Sequence, residues 1–272
     1  MIGPDRSRAR PGFSGRTRHR LMFATEPARA VFDAGSLLAG QALLRQAPRG
    51  EPHPVLVLPG LLASDVSTMG LRRWIRRLGY PVRGWELGRN RGPTQAVVDG
   101  LPLLVDQLAQ RYGQAVSVVG WSLGGIFARR MALNRPETIR QVITLGSPFG
   151  AALDEDLGTP GERMYQRLAH LHVEQPSRES VAALRGPLPV PSTSVYSRWD
   201  GIVNWHDCLQ IVGPNSENVA VRASHLGLGQ HPGVHWIVAD RLAQPVSGWR
   251  PFRWPVRIPM IARFDQAPGR DR

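Results

Sequence analysis

Apolar positions recur along this chain in two alternating rhythms. Short, wholly apolar runs such as Val55-Leu56-Val57-Leu58 read as strands covered on both faces of a parallel sheet. Between such runs, apolar residues return every three or four positions, the spacing of a helix face. Residues 26–46 form the first such stretch, with Ala30, Leu37, Leu38, Leu43 and Leu44 as its buried positions. Pro48 to Pro54 is a turn-rich linker into the first strand. Leu71, Trp74, Ile75 and Leu78 then mark a helix whose other side, Arg72, Arg73, Arg76 and Arg77, faces solvent. Pro81 to Leu87 reads as a second strand, and Val97, Val98, Leu101, Leu104, Val105 and Leu108 as a further amphipathic helix. Strands follow at Val116 to Val119, Gln141 to Leu145, Thr193 to Tyr196 and Val219 to Val221, and residues 232–243 close as a helix.

Strand and helix in alternation predict an α/β fold with a mostly parallel sheet flanked by helices. Residues 150–190 break the rhythm with several prolines, an acidic run and one helix-like piece from Met164 to Val173. They read as a small cap or lid insertion. The domain itself is expected over residues 21–246, between a basic tail, 1–20, that reads as disordered and an aromatic, basic tail, 247–272.

The segment Val116-Ser117-Val118-Val119-Gly120-Trp121-Ser122-Leu123-Gly124-Gly125 carries the strongest chemical signal. A β run ends at G-x-S-x-G and a helix-compatible stretch follows, which is the strand, tight turn and helix of a nucleophile elbow. Gly120 and Gly124 flank Ser122 at positions where a side chain would crowd the turn. A chain with 29 glycines produces this pattern by chance, so its surroundings decide its weight. Serine needs a neighbouring base to take its proton, and that base needs an orienting carboxylate. His225 follows the strand Val219 to Val221, and Asp200 follows the strand Thr193 to Tyr196. Asp154, Glu155 and Asp156, after the preceding strand, compete with Asp200 for the third place.

On the elbow Gly120 to Gly125, the turn Asp200-Gly201-Ile202-Val203 and the turn Ser224-His225, the chain resembles an α/β-hydrolase of the bacterial lipase and esterase kind over about residues 50–245. The resemblance implies that Ser122 attacks an acyl carbonyl, His225 moves the proton and Asp200 orients His225. It further implies two backbone donors for the oxyanion, Leu123 N–H and Leu61 N–H. The loop of this family often reads His-Gly-x-x, and here it is Pro59-Gly60-Leu61-Leu62. Leu61, Leu62, Trp121, Leu123 and Phe149 fall on loops near Ser122 and suggest an apolar mouth. The expected activity is hydrolysis of a small-molecule or lipid ester. An acyltransferase, a thioesterase, or a non-catalytic module on the same fold are the alternatives, and the oligomeric state is left open.

Charge adds little to this picture. The net charge of +13 is carried largely by the ends, +5 over residues 1–20 and +4 over 250–272, leaving +4 for the other 229 residues. Arg supplies this charge without any Lys, which reads as compositional bias, and no nucleic-acid partner is expected. The alternation of Trp249, Phe252 and Trp254 with Arg250, Arg253 and Arg257 would suit an anionic membrane surface, but a tail packed across the domain with its aromatics buried is the favoured reading. His231 and His235 could share a helix face, yet no third ligand accompanies them, and no metal or cofactor is expected. The single Cys208 excludes an intrachain disulfide. With no apolar run near the length of a membrane span and no leader pattern, a cytoplasmic location is the expectation.

Overall fold

The computed structural model describes residues 20–151, 158–173, 177–245 and 247–255. Six parallel strands run through its centre: β1 (Val55–Leu58), β2 (Val82–Gly84), β3 (Val116–Trp121), β4 (Ile139–Leu145), β5 (Ser192–Tyr196) and β6 (Ser216–Ala220), in the order β2-β1-β3-β4-β5-β6. Around them lie α1 (Glu26–Ala39), α2 (Gln41–Leu44), α3 (Asp65–Arg77), α4 (Gln95–Tyr112), α5 (Leu123–Asn134), α6 (Pro160–Arg167), α7 (Arg178–Arg185) and α8 (Pro232–Leu242).

The period of two along each strand explains why the apolar runs are continuous. Val55 and Val57, Val119 and Trp121, and Ile143 and Leu145 face one layer, which holds α3, α8 and residues of α1 and α2. Leu56 and Leu58, Val116 and Val118, and Val142 face the other, which holds α4 and α5. Both faces are covered, so every position of β1 and β3 is buried.

Several elements are shorter than their patterns suggest. The stretch 26–46 divides at Gly40, where a Cβ would sit 3.0 Å from Pro232 Cβ at the head of α8. Leu38 is not buried but 75% exposed, and the inward stripe is Glu26, Ala30, Asp33 and Leu37. The second strand stops at Gly84 because the Asp65 carboxylate takes the next two amides, Trp85 N–H at 3.0 Å and Glu86 N–H at 3.0 Å. Arg72 turns inward, its guanidinium donating to Asp65 O and Thr68 Oγ1, while Arg73, Arg76 and Arg77 stay exposed.

Between β4 and β5, the helix starts earlier than Met164. Thr159 and Glu162 form a reciprocal capping box that opens α6 at Pro160, and a 3-10 turn, Ala169–Leu171, follows. This segment is tied to two loops at the carboxyl edge of the sheet: Val173 N–H bonds Pro93 O, and Gly161 N–H bonds Ile202 O. Among the described residues, no helix is long and apolar enough to cross a membrane.

Candidate active site

The chain leaves β1 for the edge strand β2 and returns on the other side of β1 as β3. At such a switch point, the loops after the two strands part and leave a crevice at their carboxyl ends. Ser122 stands there. Leu58 pairs with Gly120, so two residues on, Gly60 lies beside Ser122, and a Cβ on Gly60 would be 3.1 Å from Ser122 Cβ. Ser122 has φ 52° and ψ −121°, a region that a side-chain-bearing residue occupies only under constraint. Its N–H bonds Leu145 O, and its carbonyl accepts from Gly125 N–H. The glycines make this turn possible. A Cβ on Gly120 would lie 2.5 Å from Gly124 O, and one on Gly124 would lie 2.5 Å from Leu58 O.

The loops after β5 and β6, beyond β4 in the sheet, hold the other two groups. His225 Nδ1 is 2.6 Å from Asp200 Oδ2, and both residues are buried, at 4% exposure each. The other oxygen, Asp200 Oδ1, accepts Ile202 N–H at 2.9 Å and Val203 N–H at 2.8 Å, which fixes the carboxylate plane. Burial, the largest single influence, pulls the His225 pKa down. The charge and hydrogen bond of Asp200, with Glu26 behind, outweigh it and hold the imidazole above its ordinary 6.5. Trp121 Nε1–H donates to His225 O at 3.1 Å, so the residue before Ser122 anchors the histidine turn. Gly146, which follows the carbonyl bound by Ser122, lies against the pair: a Cβ there would be 3.3 Å from His225 Nδ1. Among the described residues the Ser122 hydroxyl makes no hydrogen bond, to His225 or otherwise.

Two amides near Ser122 are also without a partner among the described residues, Leu61 N–H and Leu123 N–H. Their neighbours are engaged. Leu62 N–H bonds Asn90 O at 2.6 Å and Ala63 N–H bonds Gly60 O at 3.1 Å. Asn90 is fully buried, and its amide returns to Pro59 O at 2.8 Å. It braces the loop at Pro59, and holds Leu62 at φ 60°.

The remaining sequence candidates are distributed differently. Leu61 and Leu62, on the loop after β1 that passes Ser122, are half-buried. Trp121 is packed in the layer behind the histidine turn, against Gly229. Phe149 is buried beneath the Arg129 guanidinium, 4.2 Å from its ring centre, so it lies within the core rather than in the open mouth. Asp154, Glu155 and Asp156 lie outside the described residues, as do residues 1–19 of the basic tail. His231 caps α8 by accepting Gly233 N–H, and His235 stacks on Trp74 and bonds Gly229 O. Phe252 and Trp254 of the aromatic tail pack against the core, and Phe252 N–H bonds Glu217 Oε2 at 2.7 Å.

Three residues of the site escape a reading for catalytic motifs. Ser197 Oγ donates to Ala223 O at 2.6 Å, joining the acid turn to the histidine turn. Glu26 Oε1 accepts Gly201 N–H and His225 N–H at 2.8 and 3.1 Å, and its Oε2 accepts Leu226 N–H at 3.0 Å. Asp33 Oδ2 accepts both Ser224 N–H and Ser224 Oγ–H, at 2.9 and 2.6 Å. Glu26 and Asp33 share the stripe of Ala30 and Leu37, which is the signal that would have found them.

No family model matches the chain. A curated protein, a pimeloyl-[acyl-carrier protein] methyl ester esterase of Aeromonas salmonicida, is 43% identical over 56 residues, or 20% of this chain and 22% of that protein. The match thus spans about a fifth of the relative's length. Solved structures resemble the chain more extensively. A structure of the metagenome-derived lipolytic enzymes LipS and LipT superposes with TM-score 0.55 at 16% identity, covering 72% of this chain and 93% of that one. The monoacylglycerol lipase of Paleococcus ferrophilus gives 0.51 at 14% identity, with 72% and 96% covered. Mouse alpha/beta hydrolase domain-containing protein 10 gives 0.50 at 17% identity, with 72% and 92% covered.

Proposed function

On the α/β-hydrolase fold that this chain adopts, we propose that it hydrolyses carboxylic esters through Ser122, His225 and Asp200. The observation that carries the reading is the buried His225–Asp200 pair at 2.6 Å, beside a serine held at φ 52° on a strand-turn-helix. A structural serine has no need of that backbone strain, and a structural histidine has no need of a buried carboxylate turned toward it by two backbone amides. The names of the relatives agree with the reading: one is a methyl ester esterase, others are lipolytic.

The three residues would then act in this order. With its proton on Nδ1, bonded to Asp200, His225 keeps the Nε2 lone pair for Ser122. Ser122 Oγ attacks the ester carbonyl carbon as Nε2 takes its proton. The carbonyl oxygen becomes an alkoxide, and the unpartnered Leu61 and Leu123 amides are the donors for it. The tetrahedral species collapses, the C–O bond to the alcohol breaks, and Nε2 returns the proton to the leaving oxygen. Water, deprotonated by Nε2, then attacks the acyl-enzyme and releases the acid and Ser122. Asp200 stays ionised and favours the imidazolium formed in each half. Leu61 and Leu62, on the loop that passes Ser122, favour an apolar acyl group.

The test is covalent. A fluorophosphonate should label Ser122, with the site located by mass spectrometry, and the label should be lost in His225→Ala. Ser122→Ala should abolish hydrolysis of p-nitrophenyl esters. Turnover that survives Ser122→Ala, or a wild-type chain that neither takes the label nor cleaves any ester of a chain-length series, overturns the reading.

A further inference from the structure

Helix α1 is inverted. A helix docked on a domain for stability buries its apolar stripe and leaves charge in water. Here Glu26 and Asp33 are 1% and 4% exposed, while Val31, Phe32 and Leu38 stand 74%, 76% and 75% exposed. Burying two carboxylates costs stability unless each finds donors, and the donors are those of the histidine and acid turns. One oxygen, Glu26 Oε1, accepts both Gly201 N–H, next to Asp200, and the N–H of His225 itself. Oε2 holds Leu226, and Arg29 covers the carboxylate at 2.8 Å. Two helical turns further on, Asp33 holds Ser224 twice.

The two turns are shaped to receive this helix. A Cβ on Gly201 would lie 2.6 Å from the Met22 carbonyl group, and one on Gly227 would overlap the Asp33 carboxylate. Both crossings therefore require glycine.

We propose that Glu26 is a positioning residue for the reaction. It sets the separation of His225 and Asp200 and places a fixed negative charge behind the imidazole, and Asp33 secures the same turn. The proposal rests on the triad reading above. The charged groups around His225 are Asp200 from the acid turn and Glu26 from α1. Arg29 meets Glu26 from outside, and Asp33 faces His231 at the head of α8.

Glu26→Gln keeps the shape and removes the charge, and it turns an amide NH2 toward a backbone N–H. Rates are taken per Ser122 titrated with fluorophosphonate, so unfolded chains do not count. The expected result is a fall in kcat of about 10–100-fold, from misplacement of the base, with KM within about twofold. The acidic limb of the kcat/KM profile should also move to lower pH, because the imidazolium loses a stabilising charge. Glu26→Asp keeps the charge with a shorter reach, so its kcat falls while the limb stays. A lower melting temperature with kcat per site and limb unchanged in Glu26→Gln overturns the proposal and leaves Glu26 a purely structural residue. Should Glu26→Gln not fold, Asp33→Asn supplies the test: kcat per site falls by about tenfold, and an unchanged value overturns the proposal. A wild-type chain that takes no label would instead remove the triad reading itself.

Discussion

Replacing Asp200 by asparagine separates charge and tautomer from shape, and the structure sets how the amide must sit. Among the described residues, Asp200 Oδ1 receives two backbone N–H groups, from Ile202 and Val203, whereas Oδ2 receives only His225 Nδ1–H. An asparagine that keeps its carbonyl at the Oδ1 position satisfies both amides and turns its NH2 toward His225. Nδ1 must then accept, the ring proton moves to Nε2, and the lone pair that should take the Ser122 proton is gone. The flipped amide would restore the tautomer but leave two buried N–H groups facing NH2, at about 1–3 kcal/mol each. A preference of about 2–6 kcal/mol for the unproductive orientation corresponds to a loss of roughly 30-fold to 10^4-fold in kcat/KM. The assay is ester hydrolysis per folded chain, with circular dichroism and a melting curve as the control. An Asp200→Asn variant that folds and works within about threefold of wild type would refute this chain of reasoning, and would return the third position to Asp154, Glu155 or Asp156.

Further outcomes can be checked with the same materials. His225 titrates above its ordinary 6.5, so kcat/KM should rise with pH along an acidic limb centred above that value, because only neutral imidazole accepts the serine proton; a limb centred below 6.5 contradicts the placement. The same raised pKa contributes stability that is complete below the unfolded value, near 6.5, and is lost as pH rises through the folded one. Equilibrium urea unfolding across that window reads it. Arg129 is fully buried and donates to Leu184 O, Gly186 O and Gln210 Oε1 over the Phe149 ring; Arg129→Met leaves these acceptors unpaired and should lower unfolding free energy by about 2–4 kcal/mol. Gly124→Ala puts a methyl 2.5 Å from Leu58 O, backbone that cannot swing aside. It should cost about 1–3 kcal/mol and reduce Ser122 labelling per folded chain.

The sheet and the elbow were legible because both are local. Alternate residues of an apolar run go to opposite layers, so burial on both sides is written into Val55 to Leu58 directly, and the glycines of the elbow are demanded within six positions. The order of Ser122, Asp200 and His225 was legible because each follows its own strand. The end of the second strand was not, since it is set by the Asp65 carboxylate from another helix. The burial of Phe149 was not legible for a similar reason: an aromatic just after a strand reads as part of a mouth, whereas here it lies under the buried Arg129 guanidinium. Glu26 and Asp33 were hidden by the ordinary rule that acids on a helix face water. Their partners are loop amides, which have no sequence signature, although their spacing with Ala30 and Leu37 marks the inward face.

The contacts of α1 also bear on when the chain can become active. Glu26 meets Gly201 and His225 across separations of 175 and 199 residues, and Asp33 meets Ser224 across 191. Helix α1, made before these partners, must therefore wait until the histidine and acid turns have emerged before its carboxylates find their donors. Such closures span far more chain than any strand pairing of the sheet and cost more loop entropy. The sheet and its elbow can thus form as a frame with Ser122 already strained into place, while the histidine turn locks only at the last docking of α1. Completion of the site would then be separable in time from formation of the sheet, with the docking of α1 as its final part.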